Sequence, residues 1–86
     1  MRYAARVEVR LRPGIADPES ATIERALPAL GFDDVSGMTS GRWFGFELEA
    51  GSERAARERA EALATRLLAN PVMEDAVVSV STAARR

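Results

Sequence analysis

Residues 67–75 read LLANPVMED, a stretch that ends a helix, turns and starts the last strand of the chain. Asn70 tolerates the left-handed conformation that ends many helices, and Pro71 cannot continue a helix because it lacks a backbone N–H. The turn is therefore expected to place Asn70, Glu74 and Asp75 on a loop at one end of the domain. Polar side chains on such a loop can meet either solvent or a partner.

The residues on either side of this turn predict a helix before it and a strand after it. Small and aliphatic side chains recur at helical spacing from Ser52, the expected N-cap, to about Ala69. Beyond the turn, the β-branched run 77–81 predicts a short strand. Residues 82–86 are expected to fray.

The first half of the chain begins with the clearest strand. Over residues 3–11 apolar side chains alternate with charged ones, which is the period of a strand with one buried face. Asp17 and Pro18 then predict the N-cap and the first residue of a helix that stops at Gly31. Pro28 should kink or tighten the last turn of that helix, because it cannot donate a backbone hydrogen bond.

A hairpin is predicted between the two helices. Residues 35–40 suggest a strand that turns at Gly41 into a second, clearly amphipathic strand over 42–49. Trp43 lies on the face of this strand opposite its phenylalanines. It either rests against arginine side chains of its own sheet or anchors a subunit interface.

These elements predict an α+β fold, with one compact βαββαβ domain spanning residues 1–86. The expected sheet is antiparallel, with both helices on one of its faces. Because a domain this small leaves much surface exposed, self-association is favourable. The formal net charge of −1 gives no overall attraction for nucleic acid or anionic membranes. The chain has no run typical of a signal peptide or a membrane span, so a cytoplasmic location is expected.

The composition disfavours catalysis by this chain alone. Cysteine and histidine are absent from its 86 residues, which excludes disulfides, thiolate and imidazole metal sites, and the commonest nucleophile and general base. Neither a phosphate-binding loop nor a glycine-rich dinucleotide turn occurs. RNA recognition through the same order of elements is disfavoured as well, because Glu47 and Glu49 share the predicted face with Trp43.

Taken together, these motifs resemble the PurS family, the small subunits of formylglycinamidine ribonucleotide amidotransferase in purine biosynthesis. The resemblance rests on four short motifs in order: Asp17-Pro18, LGF at 30–32, Gly41-Arg42 before an amphipathic strand, and LLANPVMED at 67–75. The chain departs from the common family pattern at Ser20, Thr39, Ser40 and Ala76.

The resemblance implies a non-catalytic assembly subunit that forms a homodimer or larger homo-oligomer. Such a subunit bridges a PurQ-like glutaminase and a PurL-like synthetase and aids ammonia transfer between them. ATP and magnesium are then expected on the synthetase, with no cofactor or metal on this chain. The alternative function is a small-ligand-binding regulatory domain of ferredoxin-like topology. Trp43 is the candidate for self-association, and the candidates for partner binding are Asp17, Pro18, Gly41, Arg42, Asn70 and Glu74.

Overall fold

The computed structural model describes residues 1–83, in which strands and helices alternate. The main elements are β1 (Arg2–Leu11), α1 (Pro18–Ala26), β2 (Gly41–Glu49), α2 (Glu53–Leu63) and β3 (Glu74–Thr82). A 3-10 turn, Pro28–Leu30, follows α1, and a π-helical turn, Ala64–Leu68, continues α2. The predicted α+β class is confirmed.

The three strands form one antiparallel sheet in the order β2-β1-β3. β1 is central, and its alternate residues Tyr3, Ala5, Val7 and Val9 are buried on what we call the core face. Val7 lies opposite Phe44 of β2 and Val78 of β3, so all three strands contribute apolar side chains to this face. The other side of the sheet, which we call the open face, carries the charged residues of β1.

The strand predicted over 35–40, and with it the hairpin, is wrong. This segment contains no strand, and Gly37 interrupts it with a φ of 69°. The backbone N–H groups of Met38 and Ser40 bind carboxylates on and before α1 instead of a neighbouring strand. β2 pairs with β1, which offers it nine residues in register, so the order of elements is βαβαβ.

Helix α2 lies against the core face through small side chains. Ala56, Ala60 and Ala64 are buried, and short side chains at helical spacing allow the helix backbone to approach the sheet closely. Most of its contacts with the sheet are with β1 and β3, and Arg59 also donates to the Glu49 carbonyl of β2. Ser52 caps the helix as predicted, because its hydroxyl accepts a hydrogen bond of 3.1 Å from the backbone N–H of Ala55.

Helix α1 begins and ends as predicted but does not lie on the sheet. Asp17 is its N-cap, Pro18 its first residue, and Gly31 ends the following 3-10 turn with a φ of 91°. Pro28 starts that tighter turn, which confirms its predicted effect. The helix packs against its own 3-10 turn, so the expectation that both helices cover one face is wrong for α1.

The shape is a thin, elongated slab. Its principal extents are 51 × 34 × 15 Å, and its radius of gyration is 16.6 Å. A compact chain of this length has a radius of gyration of about 12 Å. The compact shape expected from the sequence is therefore not observed, because α1 extends away from the sheet.

The turn after α2 does not have the backbone conformation that the sequence predicts. Among residues 1–83 every positive φ belongs to a glycine, so the expected left-handed conformation of Asn70 is wrong. The helix ends because Ala69 turns extended, with a φ of −118°, and the Asn70 side-chain oxygen accepts from the Val72 N–H at 2.9 Å.

The end of the chain is more ordered than predicted as far as residue 83. Thr82 belongs to β3 and Ala83 is buried, so the expected fraying is wrong for these two residues. The remainder of the predicted tail lies outside the described residues. Within the described part of the chain, no helix is long and apolar enough to cross a membrane.

Candidate functional site

The loop motifs singled out in the sequence meet at one end of the core face. They enclose a concavity of about 310 Å³, here called the end cleft, beside Val9 and Leu11. Five of the six predicted partner-binding residues line it: Asp17, Pro18, Gly41, Arg42 and Glu74. The sixth, Asn70, joins the group through its backbone N–H, which donates to the Glu74 carboxylate at 2.7 Å.

Asp17 connects the start of α1 to the segment before β2. Its carboxylate accepts from the backbone N–H and hydroxyl of Ser20, at 3.1 and 2.8 Å. It also accepts from the backbone N–H and hydroxyl of Ser40, at 3.1 and 2.9 Å. Ser20 and Ser40, although twenty residues apart, therefore bind the same carboxylate.

These hydrogen bonds favour the ionised form of Asp17. Donation from the backbone N–H of Ser20, followed by the Ser20 hydroxyl and the Ser40 N–H, lowers the pKa of the carboxyl to about 2. A carboxylate whose acceptor positions are filled in this way is not available as a general base. Asp17 therefore positions the walls of the end cleft rather than performing chemistry there.

Arg42 and Glu74 close the cleft on its other side. Their side chains lie on the core face, opposite Val9 and Leu11, and form a bidentate pair at 3.0 and 3.2 Å. Arg42 also donates to the carbonyl of Leu68 at 3.0 Å. The Glu74 side chain is only 11% exposed, so this residue is chiefly an internal contact. Donation from the Asn70 N–H, and secondly from Arg42, lowers the pKa of Glu74.

Gly41 occupies a position where a side chain cannot fit. A Cβ atom built on it would overlap the backbone carbonyl oxygen of Val9 on the neighbouring strand. The glycine therefore allows β2 to start in register beside β1 at the edge of the end cleft.

Arg12 contributes to the same end of the sheet and was missed by the sequence analysis. Its guanidinium donates to the carbonyl of Pro71 at 2.6 Å and pairs with Asp75 at 3.2 Å. Its backbone N–H donates to the carbonyl of Met73 at 2.9 Å. The signal in the sequence was an arginine at a strand end beside Pro13, but its partner lies some sixty residues away and only the fold shows it.

The turn presents apolar side chains to solvent. Val72 is 78% exposed, and Leu67 and Met73 are exposed as well. Sequence reasoning had favoured the acidic residues of this turn as partner contacts. The structure instead directs Glu74 inward and leaves the aliphatic side chains outward, where they can pack against another surface.

Trp43 lies on the open face, away from the end cleft, as its place in the strand predicted. The guanidinium of Arg6 covers its ring at 4.2 Å from the centroid, as in the first of the two alternatives for Trp43. The ring nevertheless remains 58% exposed.

The Asp17 and Glu74 carboxylates that line the end cleft are occupied by hydrogen bonds and ion pairs within the chain. Within residues 1–83 no three acidic, histidine or cysteine side chains are grouped so that they could hold a metal ion. What remains is a concave surface with fixed walls and an apolar turn beside it.

Comparison with known proteins gives the same family throughout. The family model for PurS, phosphoribosylformylglycinamidine (FGAM) synthase, matches residues 4–82. The chain is 36% identical over 78 residues to the phosphoribosylformylglycinamidine synthase subunit PurS of Methanocaldococcus jannaschii, covering 91% of this chain and 94% of that relative.

Solved structures share the fold described above. PurS of Thermus thermophilus is similar with a TM-score of 0.86 and 32% identity, covering 98% of this chain and 100% of that chain. The structure of PurLQS from Thermotoga maritima contains a similar chain, with a TM-score of 0.85, 28% identity, and coverage of 94% of this chain and 99% of that chain. The resemblance read from the loop motifs is thus confirmed, and the chain belongs to the PurS family of FGAM synthase subunits in purine biosynthesis.

Proposed function

We propose that this chain is a non-catalytic assembly subunit of a cytoplasmic FGAM synthase. In this role it joins a glutaminase subunit to a synthetase subunit and to further copies of itself, and it aids the transfer of ammonia between their sites. ATP and magnesium would be bound by the synthetase. Family membership favours this function over a ligand-binding regulatory domain.

The observation that carries the proposal is the convergence of the family motifs on the end cleft. Residues that are distant in sequence meet there, and their carboxylates are held by internal hydrogen bonds. Such contacts fix the shape of a surface before a partner arrives, which lowers the entropy cost of binding. The PurLQS complex of Thermotoga maritima, which contains a chain of this fold, supports an assembly role.

Affinity purification from the native cells tests this function. The tagged full-length chain should recover a glutaminase and a synthetase subunit in amounts comparable to its own. Recovery of neither subunit, from cells that express both, would contradict the proposal.

A pair of variants then tests whether the apolar turn contacts these partners. Val72→Glu places a charge on a side chain that is 78% exposed, so the fold should tolerate it while partner recovery falls at least several-fold. Thr65→Glu is the matched control, because threonine is close to valine in size and Thr65 is exposed on the preceding π-helical turn. If both variants recover the partner subunits equally well, Val72 does not contact these partners.

A further inference from the structure

The open face of the sheet carries a group of charged and aromatic side chains that the end cleft does not use. Arg6, Glu8 and Arg10 project from β1, and Trp43 of β2 is the register partner of Glu8. Together with Thr39 they line a concavity of about 430 Å³, here called the tryptophan pocket. This volume lies within the range of roughly 300–1,000 Å³ that is usual for small-ligand sites.

Positive charge exceeds negative charge in the tryptophan pocket. The Glu8 carboxylate lies 3.6 Å from Nε of Arg6 and 3.3 Å from a terminal nitrogen of Arg10, so two arginines share one acid. A third arginine of the wall, Arg42, is already paired with Glu74 on the core face. Because each guanidinium has five N–H donors, Arg6 and Arg10 can still bind a further anion, which would neutralise the surplus charge.

The other acidic side chains of the open face are paired with other arginines. The two glutamates that β2 places on this face both bind Arg2, which lies at the opposite end of the sheet. Asp75, the register partner of Arg10, pairs instead with Arg12 at 3.2 Å. Of the described residues that line the tryptophan pocket, Glu8 alone is acidic. The surplus charge at Arg10 is therefore not cancelled by a second carboxylate of the pocket wall.

The indole ring of Trp43 is held in a defined position over the sheet. It lies so close to Gly45 that a Cβ added there would come within 3.0 Å of the ring atom Cζ3. The Arg6 guanidinium lies 4.2 Å from the ring centroid. Trp43 is nevertheless 58% exposed. A ring that its neighbours hold in place, and that still faces solvent, offers a surface on which a planar group can stack.

We propose that the tryptophan pocket binds a small aromatic phosphate, a compound with the chemistry of a nucleoside monophosphate. The planar ring stacks on Trp43, and the phosphate accepts hydrogen bonds from Arg10 and from the exposed hydroxyl of Thr39. This class of ligand fits because guanidinium groups bind phosphate and an indole stacks on any planar base. The inference goes beyond the proposed function and does not depend on it, since the end cleft lies on the core face.

The single tryptophan of the chain reports on this binding directly. AMP, GMP and UMP are titrated into the full-length chain, and at least one of them should quench the Trp43 emission to saturation. Isothermal calorimetry should give the same Kd. The matching nucleoside and inorganic phosphate each supply half of the ligand chemistry and should bind at least tenfold more weakly. The absence of saturable binding by all three nucleotides, or equally tight binding of inorganic phosphate, would overturn the inference.

A pair of arginine variants tests the phosphate contact. Arg10→Gln leaves Glu8 and Arg6 as a neutral pair, so it should weaken binding of the nucleotide at least tenfold. Arg54→Gln is the control, because it removes the same charge from a side chain on α2 that is 90% exposed. The Arg10 side chain is 53% exposed, so both variants should keep the circular dichroism spectrum of the unmodified chain. Equal nucleotide affinity in the two variants would contradict the proposed contact.

A variant of the ring tests the stacking contact and separates this inference from self-association. Trp43→Ala, measured by calorimetry, should also weaken nucleotide binding at least tenfold. If the Trp43 emission of the unmodified chain instead changes with protein concentration and not with added nucleotide, a second copy covers the ring and the inference is overturned. Recovery of the glutaminase and the synthetase by the unmodified chain would leave the proposed function intact in that case.

Discussion

At the scale of single residues, Asp17 does most to build the end cleft. One carboxylate caps α1 and also binds the segment before β2, through hydrogen bonds to Ser20 and Ser40. The Asp17 side chain therefore fixes both the start of α1 and the position of the segment that leads into β2. The sequence predicted the cap, but the second set of donors depended on the fold.

Replacing Asp17 with asparagine should lower the melting temperature by several degrees. The amide offers one acceptor oxygen in place of two, so some of the donors on Ser20 and Ser40 lose their partner. Asp34→Asn is the control, since it removes the same charge from an exposed loop position. Thermal unfolding followed by circular dichroism measures both, and equal melting temperatures for the two variants would contradict this role of Asp17.

The ionisation of the Asp17 carboxylate should also appear in the pH dependence of stability. The pKa of Asp17 is about 2 in the folded chain, below its ordinary value of 3.8. A lowered folded-state pKa gives stability that is fully present above pH 3.8 and is lost as the pH falls towards 2. The difference in melting temperature between the unmodified chain and Asp17→Asn should therefore shrink over this interval. A difference that stays constant down to pH 2 would disagree with the lowered pKa.

Gly41 should be intolerant of even one added methyl group. In Gly41→Ala the Cβ would overlap the carbonyl oxygen of Val9, and the strand pair must shift to relieve it. We expect a loss of about 1–3 kcal/mol in the free energy of unfolding, as for other overpacked sites. Gly51→Ala is the control, because nothing lies within 4 Å of a Cβ there and the change should stay within about 0.5 kcal/mol. Denaturant unfolding compares the two.

At the scale of elements, the turn between α2 and β3 is held by contacts from both other strands. Arg42 of β2 binds Glu74 and the carbonyl of Leu68, and Arg12, beyond the end of β1, binds Pro71. The turn is thus connected to all three strands. Its outward side chains are consequently presented in a fixed arrangement.

A double-mutant cycle on Arg42 and Glu74 should reveal strong coupling. Arg42→Ala leaves a nearly buried carboxylate without its cation, and Glu74→Gln removes the charge that the arginine binds. Each single variant should lower the melting temperature, and the double variant should lower it by less than the sum. The exposed pair Arg54 and Glu58, with side chains 90% and 68% exposed, should instead give nearly additive changes.

At the scale of the whole molecule, stability and association should be linked. A flat chain that leaves Ile23, Leu30 and Phe32 exposed buries more apolar area when it self-associates, and only the folded state can do so. The melting temperature should therefore rise between about 1 and 100 μM protein by mass action. A melting temperature independent of concentration would argue against the proposed self-association.

Much of the local structure follows from local chemistry and is therefore readable from the sequence. The alternation in β1, the Asp17 cap, the 3-10 turn at Pro28 and the stop at Gly31 depend on residues within one or two turns of each other. The four short motifs also sufficed to indicate the PurS family. The false strand over 35–40 shows the limit of this reasoning, because strand formation depends on which partner is available.

The tertiary structure alone decided how the motifs combine. Pairing of β2 with β1 brings Arg42 to Glu74, and bonding of Ser40 to Asp17 fixes the start of α1 beside the start of β2. These contacts join residues that are far apart in the chain, so no local pattern encodes them. The sequence by itself determined both helices, the strands β1 and β2 and the family, but not the pairing of β2. Only the packing of those elements showed that LLANPVMED directs Glu74 inward and Val72 outward, and that Ile23 and Leu30 beyond the sheet stay exposed.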